Sequence, residues 1–283
     1  MRRLFTLALL LASLAHAGPR GRGAAEDPLL LAGLLVREGE WARAEATLDA
    51  IDPAARDLDH ARYWTLRGLV ALHDRRASEA VEAFTAALAA ATEGRELLEI
   101  HLARAQLAAG APEQALAALG RSGDVGAGMP ATWLLRAQAH QDAGDPDGAW
   151  AALEEGAARF PAQAEMRRQQ VFLLVRQGLY REARARGEAL LRRDDADADD
   201  AVAISEALRR GGDTTEALTI LEAALLEEGE DRDLLVQAAR ASLDAGLPRA
   251  AGRFLERAAT LDPALALEAA EAYRRGNDLD AAL

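Results

Sequence analysis

The 283-residue sequence contains no cysteine and no lysine, one asparagine (Asn277), and only 4% aromatic residues. Without cysteine there is no disulfide, no thiol nucleophile and no thiolate metal ligand. Without lysine, Schiff-base chemistry and the lysine of phosphate-binding loops are excluded. Arginine carries almost all positive charge, a bias read as codon usage in a GC-rich genome. Basic residues are also outnumbered, 33 Lys and Arg against 46 Asp and Glu, for a net charge of −13. A phosphate-backbone partner needs a basic stripe that releases counterions, so no nucleic acid is expected as a partner. With so few aromatics, a chain that is 50% hydrophobic must build its core from alanine and leucine. Both are strong helix formers, and alanine lets helices approach closely.

One short pattern recurs: a glycine, then an alanine five residues on. It appears as Gly39–Ala44, Gly110–Ala115, Gly144–Ala149, Gly178–Ala183, Gly212–Ala217 and Gly246–Ala251, with Arg75 replacing the glycine before Ala80. Successive alanines lie 36, 35, 34, 34, 34 and 34 residues apart. That period is the signature of stacked helix–turn–helix units, each burying apolar surface against its neighbours.

Counting a unit from Ala61 places Trp64, Gly68, Ala80, Phe84 and Ala87 at positions 4, 8, 20, 24 and 27. Position 8 is then Ala32, Gly68, Ala103, Ala137, Val171, Ser205 and Ala239 in successive units, and Pro161 and Pro263 occupy position 32. This arrangement resembles the tetratricopeptide repeat, whose small residues at 8 and 20 let two helices pack closely. The resemblance implies an all-α, right-handed superhelical solenoid of about seven and a half repeats over residues 27–283. The eighth unit is short, Gly276 following Gly246 by 30 residues, and Leu279 and Leu283 are expected to fold back and cap it, the alternative being that the exposed apolar edge is itself an interaction surface.

Ahead of the repeats, Met1-Arg2-Arg3, the apolar run Leu4–Leu14 and Ala15-His16-Ala17 have the three regions of a secretory signal, with cleavage expected after Ala17. The alternative is a retained anchor, although the apolar run falls short of the roughly 20 residues a spanning helix needs. Residues 18–26 read as a flexible leader. The expected location is therefore the periplasm or exterior of a bacterial cell.

Two local patterns invite chemistry. Gly120–Pro130 is glycine-rich but has neither the strand nor the lysine of a phosphate loop, and reads as a mobile link between repeats. Asp195, Asp197, Asp199 and Glu206 stand at positions 1, 3, 5 and 12 of a calcium-loop pattern, so weak calcium binding is one expectation. Against it, Asp200 occupies the place of the glycine, and the repeat register puts Glu206 two turns into a helix. The other reading is an acidic turn that caps that helix. Apart from calcium, no cofactor is expected. His60, His73, His101 and His140 show no i, i+4 pairing, and no nucleophile elbow occurs, so the chain is expected not to be an enzyme.

In tetratricopeptide arrays the first helix of each unit lines an inner groove with positions 2, 5, 6, 9, 12 and 13. Here the first two units place Leu29, Leu30, Val36, Leu66, Leu69 and Leu72 there. Later units place His101, Arg104, Gln138, Gln141, Arg168, Gln169 and Phe172, followed by Arg209 and Arg240. Guanidinium forks suit carboxylates and glutamine amides suit peptide backbone, so this stretch is the expected site for a protein or peptide partner. The competing expectation is that these arginines pair with neighbouring acidic residues and only solubilise the face. The expected function is a scaffold or adaptor, or an assembly component of an envelope export or secretion complex.

Overall fold

The computed structural model describes residues 27–278, 281 and 282, and over them the chain consists of helices and turns with no strand. Helix α1 (Pro28–Glu38) packs on α2 (Trp41–Asp49), α3 (His60–His73) on α4 (Ala77–Ala90), and α5 (Arg95–Ala108) on α6 (Pro112–Arg121). The short α7 (Gly123–Ala127) leads to α8 (Pro130–Asp142) and α9 (Pro146–Arg159). Hairpins α10 (Glu165–Arg176) with α11 (Tyr180–Leu191), α12 (Ala198–Gly211) with α13 (Thr214–Glu228), and α14 (Arg232–Asp244) with α15 (Pro248–Leu261) follow. A 3-10 turn (Pro263–Leu265) and α16 (Ala266–Arg275) end the described helices. The expected all-α, helix–turn–helix repeat fold is the one observed. The signal and leader readings, and the capping role of Leu279 and Leu283, concern residues outside those described.

Contacts gather the chain into two compact units, 1–156 and 157–283. Each repeats one local design. The alanines at position 20 (Ala44, Ala80 and Ala115 through Ala251) have no exposed surface, and Ala32, Ala103, Val171 and Ala239 at position 8 are equally enclosed. Where position 8 is Gly68, the Phe84 ring presses so near that a Cβ would lie 2.7 Å from it.

Each hairpin turns the same way. A residue one or two positions past the first helix adopts a left-handed backbone, and the next amide donates to the carbonyl five residues back, as in Glu40 N–H to Leu35 O at 2.9 Å and Leu179 N–H to Leu174 O at 2.9 Å. This is the Schellman closure, which satisfies the orphan carbonyls of a helix end. Arg75 makes it with φ 62° and Arg76 N–H to Ala71 O at 2.8 Å, although a side chain disfavours that backbone. In the last turn Asn277 (φ 54°), not Gly276, is the left-handed residue.

The glycine-rich link is more ordered than its composition suggests. Gly123–Ala127 is helical, with the Ser122 hydroxyl donating to Leu119 O at 2.7 Å and Trp133 Nε1 donating to Ala127 O at 3.1 Å. Packing against Thr132 and Trp133 overrides the weak helix propensity of glycine.

Candidate binding face

In the first unit the apolar residues expected along the inner face are largely core. Leu29, Val36, Leu66 and Leu69 are buried in one cluster with Phe84 and Leu98, and Leu72 packs against it. His101, one turn before Arg104 on α5, is also fully buried. Its ring stacks on Phe84 with centroids 5.4 Å apart, and neither ring nitrogen has a hydrogen-bond partner. Burial, aided by the Arg104 charge, pushes its pKa down to about 3. His101 is therefore a neutral core side chain with no exposed edge for a ligand.

Arg104 is half-buried, and burial lowers its pKa. Among the described residues it makes no hydrogen bond and no ion pair. A guanidinium withdrawn from water without an anion is unfavourable, and an arriving carboxylate would relieve that cost. Gln138 is exposed on α8, and Gln141, one turn on, is half-buried with a partner of its own.

Arg168 in the second unit is held differently. Arg168 on α10 donates through Nε to Asp200 Oδ1 at 2.7 Å and through Nη2 to both Asp197 oxygens at 2.8 and 2.6 Å. Glu165 lies 3.3 Å away and Asp199 3.5 Å away. Asp200 is fully buried and Arg168 only 7% exposed. Arg209 is held likewise between Glu206 and Asp244. The competing expectation, arginines neutralised by acidic neighbours, thus describes Arg168 and Arg209. Gln169 donates to Glu165 Oε1 at 2.8 Å, and Phe172, three residues on in α10, is half-buried.

The same ion pairs account for the acidic run. Asp197 is the N-cap of α12 and forms a capping box with Asp200, each side chain accepting from the other's backbone amide. Asp195 is gripped by Arg193 at 2.9 and 2.7 Å, which lowers its pKa, and Asp199 lies near Arg168. Glu206 accepts from Arg209 and Arg210. The four carboxylates expected to surround calcium do not converge, and no group of three or more His, Cys, Asp or Glu among the described residues is placed to hold a metal.

What sequence reading missed is the spacing of these pairs. Arg168 meets carboxylates 29 and 32 residues ahead, and Arg184 does the same with Asp213 and Glu216. Arg209 reaches Asp244, 35 ahead, and Arg232 reaches Asp262, 30 ahead. Opposite charges about one repeat apart were the available signal.

Comparisons with known proteins agree with this geometry. Residues 130–173 match the tetratricopeptide-repeat family model. A tetratricopeptide repeat protein from Parabacteroides merdae is similar in structure over 79% of this chain and 89% of its own, with a TM-score of 0.57 and 14% identity. PilW, a widely conserved type IV pilus biogenesis factor, is similar over 68% of this chain and 90% of its own, with a TM-score of 0.52 and 17% identity. No curated protein matches the sequence. The chain thus has a tetratricopeptide-type fold, and such folds generally serve as protein-interaction scaffolds. No described helix is long and apolar enough to cross a membrane.

Proposed function

We propose that this chain is an exported, non-enzymatic scaffold that binds a protein partner through an extended segment, and that Arg104 receives an acidic group of that segment. The observation that carries this is the contrast between Arg104, half-buried with no described partner, and Arg168, enclosed by four carboxylates. A cation left unpaired in a chain with surplus acid is the position where a partner's anion adds most to affinity. Gln138 offers an exposed amide for peptide backbone on the same unit. Export rests on the pattern Met1–Ala17, and the net charge of −13 supports a protein rather than a nucleic-acid partner.

A role in assembling an envelope complex falls within this reading, and the fold similarity to a pilus biogenesis factor is in keeping with it. The test is capture of partners from an envelope extract, beside Arg104→Ala and a control at exposed Arg43 (Arg43→Ala), followed by titration of the captured protein. A partner retained by the control and lost by a folded Arg104→Ala supports the site. Equal titration curves for Arg104→Ala and the parent would remove Arg104 from it.

A further inference from the structure

The second unit holds a cleft that the repeat pattern does not explain. It has a volume of about 320 Å³ and lies between the approach to α10 and the end of α11, lined by Pro161, Arg167, Gln170, Arg186, Leu190 and Arg193, with Ala189 beside them. Three guanidiniums share this lining and no carboxylate does, in a chain of net charge −13.

Arg167 and Arg193 are held in place by contacts that leave binding capacity, and Arg186 is anchored beside them. Arg167 Nη1 donates only to a carbonyl, Pro161 O at 2.9 Å, so its charge is not neutralised by that bond. Arg186 Nη1 donates to the neutral amide of Gln170 at 3.2 Å, and Gln170 is itself buried. Arg193 uses Nε and Nη2 on Asp195, while its Nη1 is buried without a partner. The buried, unmet Arg193 Nη1 beside the carbonyl-bound Arg167, with the Arg186 guanidinium in the same lining, is an arrangement that an oxyanion would complete.

We propose that this cleft binds a small phosphorylated molecule, with the phosphate between Arg167, Arg186 and Arg193. Guanidinium forks match the tetrahedral oxygens of phosphate by bidentate hydrogen bonding. Phosphate carries more charge than a carboxylate and so answers three cations better. The volume exceeds that of a phosphate alone and falls at the lower end of small-ligand sites, while Pro161, Ala189 and Leu190 give an apolar wall for the rest of the molecule. This site is separate from Arg104 and stands whether or not the protein-binding reading does.

The experiment is calorimetric titration of the purified chain with inorganic phosphate and with glycerol 3-phosphate, at ionic strength held constant with sodium chloride. Arg167→Gln and Arg186→Gln variants are measured alongside, with melting curves to confirm folding. Saturable binding of glycerol 3-phosphate, tighter than inorganic phosphate and weakened at least about fivefold by each variant, is the expected result. No heat beyond the chloride control, or binding unchanged in both variants, would overturn the proposal. Sedimentation with phosphatidic-acid vesicles forms the last arm: vesicle binding without binding of the soluble phosphate would assign the cleft to a lipid surface and refute the small-molecule reading.

Discussion

Arg104 in the first unit and Arg168 in the second occupy comparable faces of their first helices and are treated in opposite ways. Arg168 is enclosed by Glu165, Asp197, Asp199 and Asp200, and two of those carboxylates also cap α12. Arg104 has burial without neutralisation and sits one turn from a histidine whose ring nitrogens are equally unmet. The difference separates two uses of one residue type. Arg168 ties one repeat to the next, as Arg76 does through Glu45 in the first unit, whereas Arg104 is kept at a cost to the fold, and kept cost points to binding.

The largest effect should come from breaking the second arrangement. Arg168→Ala leaves fully buried Asp200 without its cation and is expected to cost about 3–5 kcal/mol in urea unfolding followed by circular dichroism. Arg104→Ala, removing a cation with no described partner, should cost far less in the same measurement. If the two variants lose equal stability, the contrast between the two arginines is wrong.

Close packing in the first unit is tested next. Gly68→Ala would set a methyl group 2.7 Å from the fully buried Phe84 ring, which also supports His101. The ring has to shift, at about 2–3 kcal/mol, in the upper part of the range for overpacked cores. A melting temperature unchanged from the parent would show that Phe84 has room to move, and that His101 is less tightly held than its stacking indicates.

The histidine gives a pH signature of its own. Burial first, and the Arg104 charge second, depress the His101 pKa to about 3 in the folded chain, against about 6.5 unfolded. The unfolded chain therefore binds the proton first. Stability from this group is fully present above about pH 6.5 and is lost as pH falls toward about 3, at about 1.4 kcal/mol per unit. Between pH 7.5 and 5 the loss should be about 2 kcal/mol, in a window above most carboxylate titrations. His101→Leu should flatten that slope in urea unfolding at stepped pH. A parent chain with no slope there would mean that His101 reaches water.

Much of this was legible in the sequence, and the rest was not for identifiable reasons. The period fixed the hairpins because Ala44 through Ala251 can be spaced that way only if each meets a neighbouring helix, and all are buried. Helix Gly123–Ala127 was illegible because glycine propensity points away from helix and only contact with Thr132 and Trp133 reverses it. The inner face was misjudged residue by residue. Repeat position predicts direction, but whether His101 or Leu66 ends buried depends on how closely adjacent repeats pack, which one sequence does not encode locally. The acidic run showed a ligand pattern because N-capping and calcium binding both call for closely spaced aspartates, and the arginine that decides between them lies about one repeat away.

The smallest expected effect concerns a turn that the two units share. Arg75 holds the same left-handed turn as Gly178, at φ 62° against 74°. An L side chain there costs about 1–2 kcal/mol, while glycine gives back about 0.4–1 kcal/mol through the greater freedom of its unfolded chain. Arg75→Gly should therefore stabilise the first unit by about 0.5–1 kcal/mol. The reverse change belongs in the second unit: a Cβ at Gly178 meets nothing within 4 Å, so Gly178→Ala isolates the backbone term and should destabilise by a similar amount. Opposite shifts of matching size would make the turn a common element independent of the charge differences around it. Stabilisation absent at Arg75 with the expected loss at Gly178 would show that the Arg75 side chain makes good its strain, and that the turns are equivalent in geometry but not in energy.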